Sequence, residues 1–247
     1  MPPAGMAPGW RRSLLARARS RDLAYLAALF GTDKQGRHWY APHYQHHFAP
    51  RRGEPLTLLE LGVGGYDDPR AGGESLRMWK AFFPRARIYG LDVFDKKAVE
   101  EPRIRVFQGS QDDPAFLARV VAETGPLDIV IDDASHVNAA VLASFDVLFP
   151  HVREGGIYAI EDLQTSYWPK FGGSLDPLAA TSMNALKRLA DGLNHAERIE
   201  PGYQPTFLDR NVRSVHFYHN LAFVYRGTND EPSNLIVANQ APDWIRE

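Results

Sequence analysis

The chain has no cysteine among its 247 residues. That absence excludes a disulfide framework, a thiolate nucleophile and a zinc–thiolate site, and it fits a reducing compartment. Long apolar runs are missing too: none approaches the roughly 18 residues of a membrane-spanning helix. The arginine-rich start, Met1 to Arg21, lacks the apolar core of a secretory signal. It reads as a flexible arm or as a helix docked on a neighbouring subunit of a homo-oligomer, and the expected location is the cytoplasm, with no membrane partner. Charge of one sign is also scarce. A formal net charge of −2 gives no electrostatic reason to expect nucleic acid. Without repeats or Gly/Ser-rich linkers, the length suits one α/β domain over residues 31–227, preceded by an arm and helix (1–30) and followed by a polar tail (228–247).

What is present centres on Leu127 to Asp162. Leu127-Asp128-Ile129-Val130-Ile131 is a β-branched strand that stops at Asp132-Asp133-Ala134-Ser135-His136. Gly156-Ile157-Tyr158-Ala159-Ile160 is a second strand, stopping at Glu161-Asp162. Between them Asn138 to Leu148 reads as a helix, and Glu154-Gly155-Gly156 as the returning turn. Strand, helix, strand of this length is a right-handed βαβ unit with parallel strands. Both acidic clusters then lie at the carboxyl edge of the sheet, where open α/β folds bind ligands. Converging carboxylates repel one another unless a cation or a proton sits among them. A hard, oxygen-loving cation is the simplest answer, and His136 is placed for proton chemistry beside it.

Upstream, Ser20 to Phe30 carries Leu23, Leu26, Ala27 and Phe30 at helical spacing, with Gly31 as C-cap. Gly31 to Phe48 is polar, aromatic and irregular. It suits a segment folded over a ligand, or simply a surface loop, and its clustered histidines match no standard zinc spacing. Leu56 to Leu61 is the first strand and runs into Glu60-Leu61-Gly62-Val63-Gly64-Gly65. The third glycine of a dinucleotide fingerprint would fall at Asp67, and no phosphate-loop Lys-Ser or Lys-Thr follows. A glycine turn of this kind suits a ligand without pyrophosphate, such as S-adenosylmethionine. Arg87 to Leu91 is the second strand and ends in Asp92, 28 residues beyond Gly64. Removing the Tyr66–Gly73 insertion restores the usual interval of about 20 for an acid that binds ribose hydroxyls.

Ile104 to Phe107 is a third strand, followed by Gly109-Ser110-Gln111-Asp112. This turn either borders an adenine ring or serves the helix whose N-terminus is marked by Asp113-Pro114. After the acid pair, Leu163 to Gly173 carries Tyr167 and Trp168, which suit stacking against a sugar or simple packing. Leu186, Leu189, Ala190 and Leu193 form a core helical stripe. Val215–Tyr218 and Leu221–Tyr225 read as an antiparallel hairpin at the sheet edge.

Together, GTDKxxxHWYxxHY, ELGVGG, DDASH, EDLQTSYW and HFYHNLAFVYRG resemble the S-adenosylmethionine-dependent methyltransferases of the class I, Rossmann-like α/β fold. Within that fold they are most similar to the metal-dependent macrolide sugar O-methyltransferases of the mycinamicin VI and demethylmacrocin type. The Asp-x-x-His element with Glu-Asp following is the most specific feature; ELGVGG marks the whole superfamily. The resemblance implies a mostly parallel seven-stranded sheet closed by an antiparallel C-terminal hairpin. It implies Mg²⁺ held by Asp133, Glu161 and Asp162, with His136 as general base. Cofactor contacts are implied for Thr32, Tyr40, Tyr44, Glu60, Gly62, Gly64, Asp92, Ser110, Gln111 and Asp132, and substrate contacts for Tyr167 and Trp168. The expected reaction is methylation of a hydroxyl on a rhamnose-like deoxysugar of a glycosylated natural product. The rival readings are a metal-dependent catechol or phenol O-methyltransferase and a non-catalytic S-adenosylmethionine-binding scaffold. The extra N-terminal domain of the longer macrolide enzymes is expected to be absent.

Overall fold

The structure, a computed structural model, describes residues 9–237, 239–240 and 242–246. The first eight residues of the expected N-terminal arm lie outside them. The chain opens with α1 (Gly9–Ala18) and α2 (Leu23–Phe30). Asp22 caps α2 by accepting from the Tyr25 N–H at 2.9 Å, and Gly31 ends it in the left-handed region at φ 81°. A third helix, α3 (Ala41–Phe48), lies where the sequence reads as irregular. Ala41, Tyr44, His47 and Phe48 do repeat at helical spacing behind Pro42 in the first turn. Tyr44 and His47 obscure the pattern, because their buried polar tips are satisfied only by distant parts of the fold.

The sheet is built from β1 (Thr57–Leu61), then α4 (Glu74–Phe82), β2 (Arg87–Asp92), β3 (Ile104–Gln108), α5 (Pro114–Thr124), β4 (Leu127–Asp132), α6 (Asn138–Leu148) and β5 (Val152–Ile160). It is completed through α7 (Ser182–Gly192), α8 (Phe207–Asn211), β6 (Val212–Tyr218) and β7 (Leu221–Arg226); a short α9 (Asp243–Arg246) follows. Strand order is β3-β2-β1-β4-β5-β7-β6. The first five strands are parallel, and β7 inserts antiparallel between β5 and β6. This is the seven-stranded arrangement that the resemblance implies.

Apolar runs in the central strands are required because both faces are covered. Leu58, Ile129, Ile131 and Ile157 face a core shared with Leu26, Tyr44 and Trp79. Leu59, Leu61, Val130 and Tyr158 face the other, shared with Leu117, Phe145 and Leu186. One boundary differs from the sequence reading. Glu154 to Gly156 is not a separate turn but a bulge inside β5, whose pairing with β4 jumps from Leu127–Val152 to Ile129–Ile157. Gly155 takes φ 73°, and a Cβ on Gly156 would come within 2.9 Å of the Asp128 carbonyl oxygen. Among the described residues no helix is long and apolar enough to cross a membrane.

Candidate active site

Because β1, β2, β4 and β5 run parallel, the residues that leave them at Gly62, Asp92, Asp133 and Glu161 emerge at one edge. A cavity of about 670 Å³ opens there, lined by the glycine turn, Asp92, Phe94, Ser110, Gln111, Asp133, His136 and Asp162, with Thr32 and Asp33 on its wall. Gly62, at φ 92°, packs so closely on the chain after β4 that a Cβ would collide with the Asp133 carbonyl. Gly64, at φ 79°, would carry a Cβ only in ordinary contact, 3.9 Å from Gly72 Cα, so its left-handed backbone rather than crowding calls for glycine on this cavity wall. Asp92 is aimed by two backbone donors. Its Oδ2 accepts from Val63 N–H at 2.9 Å and its Oδ1 from Phe94 N–H at 3.0 Å. Each oxygen keeps a lone pair for a hydroxyl-bearing ligand.

Beside the glycine turn the acids gather. Ligand atoms of Asp133, His136 and Asp162 all lie within 4.8 Å of one another. His136 Nε2 is 3.5 Å from Asp162 Oδ2. Both residues hold left-handed backbones, His136 at φ 56° and Asp162 at φ 52°. Such conformations cost about 1–3 kcal/mol each outside glycine and collect at functional sites. Tyr40 donates to Asp162 Oδ1 at 2.7 Å. Burial opposes ionisation of Asp162, but the Tyr40 hydrogen bond and the nearby His136 outweigh it and hold the carboxyl below its usual range.

Glu161 sits deeper, 4% exposed, and its Oε1 accepts from Lys34 Nζ at 2.7 Å and from the Tyr44 hydroxyl at 2.5 Å. Lys34 is itself buried and also donates to Asp133 Oδ2 at 2.6 Å, with Glu60 Oε1 at 3.4 Å. Burial alone would lower the ammonium's pKa; Asp133, Glu161 and Glu60 together raise it well above its usual value. The same crowding acts in reverse on the acids. Burial and the neighbouring Asp133 push Glu161 well up. One ammonium thus faces three carboxylates, with Asp162 adjacent, and the remaining negative charge calls for a further cation or proton. Carboxylate oxygens with an imidazole nearby suit a hard divalent ion better than a thiophilic one. The residues present fit Mg²⁺.

The sequence-derived site residues therefore divide by depth. Thr32, Gly62, Gly64, Asp92, Ser110, Gln111, Asp133, His136 and Asp162 all lie on the cavity wall. Tyr40, Tyr44, Glu60, Asp132 and Glu161 stand behind it, Tyr40 and Asp132 bonded directly to the wall residues Asp162 and Gln111. Glu60 accepts from Ser75 Oγ at 2.7 Å and Trp79 Nε1 at 3.2 Å. Asp132 accepts from Ser144 Oγ at 2.7 Å, from Gln111 Nε2 at 3.2 Å and from the Tyr158 hydroxyl at 3.3 Å. Gln111 in turn accepts from Ser135 N–H at 2.8 Å, so its amide fastens the turn after β3 to the chain that carries His136. Asp113 caps α5, accepting from Ala115 and Phe116 N–H groups at 3.0 Å.

Tyr167 and Trp168 are half-exposed on the loop that leaves Asp162. Asn138 pins that loop by donating to the carbonyls of Thr165 and Phe171 and accepting from Ser182 N–H. The residue that sequence reasoning leaves without a role is Lys34. It stands in the GTDK motif, but a single lysine on an irregular segment carries no periodicity that would reveal its burial.

No protein-family model matches the chain. It is 52% identical to mycinamicin VI 2''-O-methyltransferase of Micromonospora griseorubida over 232 residues, covering 92% of this chain and 56% of that protein. It is 52% identical to 8-demethyl-8-alpha-L-rhamnosyl tetracenomycin-C 2'-O-methyltransferase of Streptomyces olivaceus, covering 87% of this chain and 58% of that one. Demethylmacrocin O-methyltransferase of Streptomyces fradiae is 51% identical, with 91% and 56% covered. Among solved structures, the MycE methyltransferase of the mycinamycin pathway, in complex with Mg, SAH and mycinamycin VI, superposes with a TM-score of 0.83 at 51% identity, covering 91% of this chain and 56% of that one. The chain thus spans a little over half the length of these relatives.

Proposed function

From identity at about half of the aligned positions to sugar O-methyltransferases of macrolide and tetracenomycin pathways, we propose that this chain is an S-adenosylmethionine- and Mg²⁺-dependent O-methyltransferase acting on a deoxysugar hydroxyl of a glycosylated natural product. The observation that carries this reading is the meeting of Asp133, His136 and Asp162 on the wall of the cavity that the glycine turn and Asp92 shape. Asp92 and the glycine turn would hold the nucleoside end of the cofactor. Asp133, Glu161 and Asp162 are the proposed ligands of the metal. When bound there, Mg²⁺ would supply a Lewis acid that makes a vicinal pair of sugar oxygens more acidic.

The protein's own side chains do the rest. His136, beside the cavity and 3.5 Å from Asp162, is the proposed acceptor of the hydroxyl proton, and Asp162 stabilises the imidazolium that forms. Such a base contributes about 10²–10⁴-fold. The cavity wall holds acceptor and cofactor in line, because a sulfonium needs alignment rather than assistance in leaving. Tyr167 and Trp168 are proposed to stack on the acceptor.

The catechol reading leans on a lysine base. Lys34 does not provide one: it is buried, and three carboxylates keep its ammonium charged. The test is methyl transfer from S-adenosylmethionine, followed by mass spectrometry, to a rhamnosylated polyketide and to a catechol, each with Mg²⁺ and with excess chelator. The expected outcome is a methylated glycoside only, formed only with metal. A methylated catechol, or a glycoside product undiminished by chelator, would overturn the reading.

A further inference from the structure

The segment before β1 reaches the site twice over. Gly31, Thr32, Asp33 and Arg37 line the cavity, while Lys34, within the same few residues, drives its ammonium beneath the cavity floor. There it touches Glu60 at the end of β1, Asp133 after β4 and Glu161 after β5. Two backbone bonds lock it: Tyr40 and Ala41 N–H groups both donate to the Lys34 carbonyl, at 3.1 and 3.0 Å. From the same segment Tyr40 and Tyr44 reach Asp162 and Glu161. Each acid proposed as a metal ligand is therefore gripped by a residue of this one strap.

We propose that Lys34 is a positioning residue that couples the metal site to the cofactor cavity: a resident monovalent cation that sets the spacing of Asp133 and Glu161 and passes any change in their charge balance to the cavity wall through the strap. The inference rests on the metal site proposed above. One ammonium set against three carboxyl groups leaves a site beside the strap that a further cation can balance. A divalent ion beside Asp133 would fix these acids and, through Lys34, Tyr40 and Tyr44, the strap that grips them. Residues 31–33 then meet the cofactor already ordered, so the second ligand has less ordering to do. By linkage the effect runs equally in both directions.

The experiment measures binding, not turnover. Calorimetry gives the affinity for S-adenosylhomocysteine with and without Mg²⁺, and electron paramagnetic resonance gives the affinity for Mn²⁺ with and without S-adenosylhomocysteine. This ligand lacks the sulfonium charge, so direct repulsion between ion and sulfur does not confuse the result. In the wild-type chain each ligand is expected to tighten the other by the same factor, about fivefold or more. In Lys34→Met both ligands still bind, and the factor falls to about one. Equal affinities with and without the partner ligand in the wild type would overturn the proposal even if no variant folds. So would a Lys34→Met chain that keeps the full factor. A wild-type chain that binds neither S-adenosylhomocysteine nor Mn²⁺ contradicts the proposed function itself, and that result is distinct from binding of both without coupling.

Discussion

At the scale of single residues, the site separates groups that touch the cavity from groups that hold them there. His136 and Asp162 pay in backbone strain for their position, and that strain persists only because partners over-determine it. His136→Ala is expected to lower turnover by about 10²-fold or more while Mn²⁺ and S-adenosylhomocysteine affinities stay within about twofold. Loss of Mn²⁺ binding in that variant would make His136 a ligand rather than a base, an alternative its place beside Asp133 and Asp162 keeps concrete. Tyr40→Phe removes only the hydroxyl that orients Asp162. Partners that orient metal-binding groups typically contribute 10–100-fold, so metal affinity is expected to fall by about tenfold, measured by Mn²⁺ titration. An unchanged affinity would show that Asp162 orients itself.

At the scale of elements, α3 joins the N-terminal strap to the C-terminal hairpin. His47 stands between two tyrosines, with Nδ1 2.7 Å from the Tyr225 hydroxyl and Nε2 3.0 Å from that of Tyr218, and with His216 and His46 nearby. Burial first, then His216, His46 and His43, push its pKa down from 6.5 to about 4. Unfolded, His47 titrates near the ordinary value, so between about pH 6.5 and 4 the unfolded chain binds the extra proton. The contribution of neutral His47 is present above that window and is lost as pH falls through it. The melting temperature is expected to drop from pH 6.5 to 4, and to drop less steeply in His47→Gln; parallel curves would refute the assignment.

The same helix shows where the sequence is legible. Strands β1, β2, β4 and β5 and the acids at their ends are readable because apolar runs, glycine turns and terminal carboxylates each follow from local chemistry. Helix α3 and Lys34 are not, because the partners of Lys34, Tyr44 and His47 include residues 99 to 178 positions away. Gln111 is readable as a site residue but not in its hydrogen-bonding role. Its amide turns to Asp132 and Ser135, contacts that only the assembled βαβ units create.

At the scale of the molecule, parallel topology delivers four strand ends to one edge, and the N-terminal strap closes beneath them. Covering 56–58% of its relatives' lengths, the chain carries the cavity at the strand ends and the acid cluster together. Ion binding is therefore expected of this chain without any further segment. The most direct test is a Mn²⁺ titration by electron paramagnetic resonance on the wild-type chain and on Asp162→Asn, each with S-adenosylhomocysteine present. One ion per wild-type chain is predicted, with an affinity at least about tenfold lower in the variant. A wild-type chain that binds no ion, or an Asp162→Asn chain that binds it equally well, would contradict the claim that these acids form a metal site.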